Sequence, residues 1–97
     1  MENSVEFYGI KCKVVLEEYA LYNRAAIRLV DEEDGSPVAT ATTNSYDIPL
    51  EDREVLIKDY AENRGIYDLL VDAGYIERDF EPIQRGFVVF KKTRLLK

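Results

Sequence analysis

Ala25-Ala26-Ile27-Arg28-Leu29-Val30-Asp31-Glu32-Glu33-Asp34-Gly35-Ser36-Pro37-Val38-Ala39-Thr40-Ala41-Thr42-Thr43 is the stretch from which the fold is read. Residues 25–30 put Ile27 and Leu29 on one side and Arg28 on the other, the period of two that a half-buried strand requires. Asp34-Gly35 is a strong hairpin-turn signal, because Gly accepts positive φ without steric cost. Pro37 is tolerated where the next strand begins, and residues 38–43 are small and β-branched, as suits a returning strand. The stretch predicts a β-hairpin.

Working toward the N-terminus, Lys11 to Tyr19 alternates again, with Cys12, Val14 and Leu16 on one face. Val5-Glu6-Phe7-Tyr8 before Gly9 predicts a short strand leading into a tight turn. Working toward the C-terminus, residues 44–52 read as a loop anchored by Pro49, with Tyr46, Ile48 and Leu50 able to dip back onto the core. Val55-Leu56-Ile57 has the length of a short strand. Ile66, Leu69, Leu70 and Ala73 then fall at i, i+3, i+4 and i+7, one stripe of a helix. Asp59 and Glu62 have capping-box spacing, with Asn63 as the alternative cap, so the helix is expected over about 60–74. Gly74 supplies the stop, with Tyr75 and Ile76 folding back on the last turn. Residues 85–95 read as one long strand, with Phe87 and Val89 on one face and Val88 and Phe90 on the other. The expected architecture is α+β: one antiparallel sheet of five to six strands with the helix packed on one face. One helix covers only part of such a sheet, so the rest is expected to curl, to lie under the 44–52 loop, or to stay open.

Ninety-seven residues suit one domain over 1–97. A single cysteine, Cys12, allows no internal disulfide, and with no histidine there is no Ser-His triad and the commonest general base and metal ligand are missing. No apolar run approaches membrane-spanning length, and Met1-Glu2-Asn3-Ser4 is unlike a signal peptide, so a cytoplasmic protein is expected. The five glycines are isolated, which leaves no phosphate-cradling loop. Neither a cofactor nor a metal is expected, nor an enzyme.

The net charge is −6, and it is unevenly spread. Residues 31–81 hold fifteen acids and four bases, a net of −11, while residues 82–97 hold five bases and no acid. That balance opposes direct binding of nucleic acid or an anionic membrane surface, since phosphates need cations. A basic terminal strand lying beside acidic neighbours would also explain the asymmetry. The acidic turn Asp31, Glu32, Glu33, Asp34 is either a solvated hairpin tip or a ridge that contacts a protein. An EF-hand reading fails, because Val30 stands where that pattern needs its first acid. A second acidic set comprises Asp47, Glu51, Asp52, Glu54, Asp59 and Glu62, with no spacing that singles out a catalytic pair. Among the tyrosines, Tyr22 and Tyr46 lie in loop-like stretches and are the better contact candidates.

Three segments carry a resemblance: Ala26-Ile27-Arg28-Leu29-Val30-Asp31 running into Glu33-Asp34-Gly35-Ser36-Pro37, Ile57-Lys58-Asp59-Tyr60-Ala61-Glu62-Asn63, and Gly86-Phe87-Val88. Together they resemble a family of small bacterial proteins of unknown function carried on plasmids, conjugative elements and prophages. The likeness runs in order from about Phe7 to Leu96, and departs at Ala61 and Arg64, where the family has Ser and an acid. It implies a setting, the mobile genome, and no catalytic residues. In that setting the expected function is a non-enzymatic acidic binding protein that occupies a basic nucleic-acid-binding groove, as an inhibitor of a defence nuclease of anti-CRISPR or anti-restriction type would. Its expected contact residues are Asp31, Glu32, Glu33, Asp34, Tyr46, Asp47, Glu51, Asp52, Glu54, Asp59 and Glu62. Two alternatives stay open: a protein that sequesters a nucleotide signal, for which Arg28, Arg64 and Arg85 are the internal cations, and an accessory protein with an unrelated partner.

Overall fold

A computed structural model describes residues 4–20, 23–45 and 47–97. Strand β1 (Ser4–Phe7) turns into β2 (Ile10–Glu18) through Tyr8 and Gly9, with Phe7 opposite Ile10. Both turn residues have positive φ, 51° and 78°, which makes this the primed turn whose twist matches a two-residue hairpin. β2 pairs with β3 (Ala25–Asp31), and β3 with β4 (Pro37–Thr40), all antiparallel. The hairpin expected from residues 25–43 is therefore present. Cys12, Val14, Ile27 and Leu29 are buried on its inner side. Leu16, expected on that same face, is 41% exposed.

The strand after the acidic turn does something its sequence does not announce. It leaves the first sheet at Ala41 and continues as β5 (Thr42–Thr43), the first strand of a second sheet. Ala41 serves both: its N–H donates to the Ile27 carbonyl at 2.8 Å, and its carbonyl accepts the Lys58 N–H at 2.8 Å. Thr42 stabilises the transfer, because its Oγ1 accepts the Ile27 N–H that β4 has stopped pairing. The second sheet runs in the order β5, β6 (Glu54–Ile57), β8 (Val88–Arg94), β7 (Glu81–Arg85). Two four-stranded antiparallel sheets thus replace the expected single sheet of five to six strands, and the α+β class stands.

The long strand expected over 85–95 is also corrected. It begins at Val88, and Gly86-Phe87 is the two-residue turn of a β7–β8 hairpin, with Gly86 at φ 61°. Phe87, expected to line a strand face, projects fully exposed from the hairpin tip.

Helix α1 is Ile66–Asp72, preceded by a 3-10 turn at Ala61–Asn63. The expected span of 60–74 is too long because Ala61 (φ 53°) and Gly65 (φ 95°) both leave the right-handed region. No capping box forms. Asp59 instead reaches forward, accepting the Gly65 and Tyr67 N–H groups at 2.9 Å each, while Asn63 donates its side-chain amide to the Thr40 carbonyl. The helix stop is as expected. Tyr75 N–H donates to the Leu70 carbonyl and Gly74 N–H to the Val71 carbonyl, the two bonds of a Schellman motif, with Gly74 at φ 83°.

The main core draws Ile27 and Leu29 from the first sheet, Val55 and Ile57 from the second, and Ile66, Tyr67 and Leu70 from α1. On the opposite face of the second sheet Leu56 and Phe90 are covered by Ile48, with Leu50 and Ile83 alongside, so the 44–52 loop does fold back as expected. Among the described residues no helix is long and apolar enough to cross a membrane.

Candidate functional site

Four of the five tail cations are paired with acids around the second sheet. β8 carries the tail cations and lies between β6 and β7, whose acids face it across the ladder. Lys92 meets Glu54 at 3.8 Å and Glu81 at 3.6 Å, Lys91 meets Asp59 at 3.7 Å, and Arg94 meets Glu77 at 3.4 Å. At the hairpin end Arg85 meets Asp47 at 3.3 Å. Lys97 lies over the Tyr75 ring, 4.6 Å from its centroid. The basic tail is therefore an internal counterweight to the acidic middle of the chain.

That arrangement divides the expected contact residues. Asp47, Glu54 and Asp59 are neutralised by β7–β8 cations. The Ser45 hydroxyl, with Arg85 beside it, holds the Asp47 carboxyl below the usual range. The Asp59 side chain is only 9% exposed and is occupied with α1 and Lys91, which makes it structural. Tyr46, like Tyr22, lies outside the described residues.

Asp31, Glu32, Glu33 and Asp34 form a run of four adjacent acids. No salt bridge reaches them among the described residues, and all but Asp31, which is half-buried, are exposed. The turn is nevertheless ordered by its own carboxylates. Asp31 Oδ1 accepts the Glu33 N–H at 2.8 Å, and Asp34 Oδ1 accepts the Ser36 N–H and hydroxyl at 2.9 and 2.7 Å. The Ser36 bonds hold the Asp34 carboxyl below the usual range, since both favour the charged form. Glu32 accepts the Ser4 hydroxyl from the edge strand. The Ser36 contribution was legible in Asp-Gly-Ser as an Asx-turn pattern; the Ser4 contact, from twenty-eight residues away, was not.

The remaining acids are distributed. Glu51 and Asp52 are exposed and line a cavity with Asn23 and Arg24, beside the Ala25 end of β3. The 31–34 turn follows the other end of that strand, about 20 Å away at the rise of an extended chain. Glu62 is exposed in the 3-10 turn, which the Tyr8 hydroxyl ties to the β1–β2 turn by donating to the Arg64 carbonyl at 2.8 Å. The four acids of the 31–34 turn are already neighbours in the chain, and the fold places Glu62 on a segment tied to that end of the sheet and Glu51 and Asp52 at the opposite end.

Between the acidic turn and the β1–β2 turn lies an open depression of about 510 Å³, lined by Gly9, Ile10, Lys11, Asp31, Glu32 and Glu33. Its lining is acidic with one cation, which suits a positively charged visitor and repels a phosphate. The cations that nucleotide sequestration would need are dispersed: Arg28 pairs with Glu17 on the first sheet, and Arg85 with Asp47 on the second. Among the described residues no three His, Cys, Asp or Glu side chains are grouped as metal ligands.

Comparison with known proteins finds no family model, no curated protein and no solved structure that matches this chain.

Proposed function

We propose that this protein is a non-enzymatic binding protein that docks an acidic surface into a basic groove of a nucleic-acid-handling partner, and that its setting is a mobile element acting against a defence nuclease. The observation that carries this reading is the 31–34 turn: four consecutive carboxylates, none of them in a salt bridge among the described residues, where seven of the other fourteen acids are paired. Asp31 and Asp34, whose carboxylates are held by N–H groups of the turn itself, carry little ordering cost when a cationic groove replaces water around them. They also steer encounter with a positive partner, so association should be fast and salt-sensitive. The contact centres on Asp31, Glu32, Glu33 and Asp34, with Glu62 toward the same end. Glu51 and Asp52 would engage only a partner broad enough to span the first sheet.

The test is capture from host lysate on the immobilised protein, followed by elution with a salt gradient and, separately, with duplex DNA. The expected result is a nucleic-acid-binding partner released by either treatment and not retained by the Glu32→Ala, Glu33→Ala, Asp34→Ala variant. Retention indifferent to salt, to DNA and to the triple substitution overturns the reading.

A further inference from the structure

Asp34-Gly35 is the chain's one Asp-Gly step, and no Asn-Gly occurs. Such a pair is chemically labile, because glycine puts no side chain in the way when its amide nitrogen attacks the preceding carboxyl carbon. The Gly35 nitrogen bonds to Asp34 Cγ and gives up its proton, one carboxyl oxygen departs as water, and a five-membered succinimide forms. Water then reopens the ring. Attack at one carbonyl restores Asp34; attack at the other leaves isoaspartate, in which the backbone runs through the former side chain and is one carbon longer. The sequence needs an approachable Gly35 nitrogen and a neutral carboxyl, because oxygen leaves readily only from the protonated acid.

The folded turn withholds both. Gly35 N–H is committed to the Asp31 carbonyl at 2.8 Å. Asp34 Oδ1 accepts two hydrogen bonds from Ser36, which favour the ionised carboxylate. The outer frame is closed by Asp31 N–H donating to the Ser36 carbonyl at 2.7 Å, so Ser36 braces the turn through its backbone as well as its side chain. The site is otherwise open to water, since residues 32–37 are exposed.

We infer that Asp34 is an isoaspartate-forming site held in check by Ser36, whose hydrogen bonds hold the carboxylate while the Gly35 N–H is engaged by the Asp31 carbonyl. Isomerisation would lengthen the turn and shift a carboxylate at its tip.

Incubating the full chain at neutral pH and physiological temperature, then measuring isoaspartate at position 34 by enzymatic methylation of its free carboxyl and peptide mapping, tests it. Ser36→Ala is expected to accumulate isoaspartate severalfold faster than the native chain. Ser36→Thr, which keeps the hydroxyl, should stay near the native rate, and a synthetic peptide of residues 30–39 should be fastest. Amide exchange at Gly35 reports whether Ser36→Ala keeps its turn; if the turn melts, the native, Ser36→Thr and peptide rates decide. Native chain and peptide reacting equally fast, or a folded Ser36→Ala indistinguishable from native, overturns the inference.

Discussion

Asp59 shows how much structure one carboxylate can organise. Its two oxygens accept the Gly65 and Tyr67 N–H groups, and its charge meets Lys91, which also lies over the Tyr67 and Phe80 rings at 4.7 and 5.0 Å. Helix α1 is seven residues long and could not persist on propensity alone, so this distant cap carries unusual weight. Asp59→Ala should cost about 1–3 kcal/mol in urea unfolding, because it orphans N–H groups at the helix start. Asp59→Asn should cost less, since an amide oxygen still accepts one of those bonds. Equal losses would place the effect on the charge and not on the cap. Cys12 offers a second test at this scale. Burial, reinforced by the Asp31 carboxylate, pushes its thiol up from the ordinary 9.0, and burial does the same to the Tyr67 and Tyr75 hydroxyls from 10.0. Groups with raised folded values contribute stability that is complete below their unfolded values and is lost as pH rises through the folded ones. The urea midpoint should therefore be insensitive to these groups at neutral pH and should fall above about pH 9, the ordinary value for cysteine. Cys12→Ala should remove the earliest part of that alkaline decline; an unchanged profile would show the thiol is not its source.

At the level of elements, what the sequence displays is the local geometry that side-chain period and turn chemistry dictate. The hairpin around Asp34-Gly35 and the Gly74 stop are such features, and both are present in the fold. The sheet transfer at Ala41 was not legible, because residues 38–43 look alike on both sides of the break and the cause is a remote hydrogen bond from Ile27 to Thr42. β7 was missed for a different reason. Glu81-Pro82-Ile83-Gln84-Arg85 has one aliphatic residue between proline and glutamine, with a charge at each end, the composition of an edge strand and also of a loop. Counting back from the two-residue turn, Arg85, Ile83 and Glu81 bond to β8, so Pro82 and Gln84 turn their backbone groups to the open edge. Pro82 thus spends its missing N–H where another strand would otherwise add. Pro82→Val should leave urea stability nearly unchanged and raise concentration-dependent association in light scattering above that of the native chain. A variant that associates no more than the native chain at high concentration would show that the edge is protected by something other than this ring.

Across the whole molecule, the same arithmetic of charge separates acids that build the fold from acids that do not. Glu54, Asp59, Glu77 and Glu81 belong to the second sheet's ion pairs, so their loss should be felt in stability. The exposed Arg94–Glu77 pair contributes little singly, whereas Glu54 and Asp59 meet their lysines largely out of water, so the arrangement around β8 is what matters. Neither Glu32 nor Glu33 has a cation partner among the described residues, and each sits beside like charge, so removing them relieves repulsion and breaks no ion pair. The acidic segment visible in the sequence therefore contained two populations, and only the pairings across β8 distinguish them; the spacing of Asp and Glu along the chain could not. The double variant Glu32→Gln, Glu33→Gln should accordingly unfold within about 0.5 kcal/mol of the native protein, the range ordinary for surface changes. In the same preparation its binding to the proposed basic partner should weaken and its salt dependence flatten, because fewer charges would be matched in that complex. Lys92→Ala should behave in the opposite way, lowering the urea midpoint while leaving affinity and salt slope as they are. A double variant that loses stability as Asp59→Ala does, or one that binds as tightly as native protein at every salt concentration, would return the turn to the role of a solvated hairpin tip.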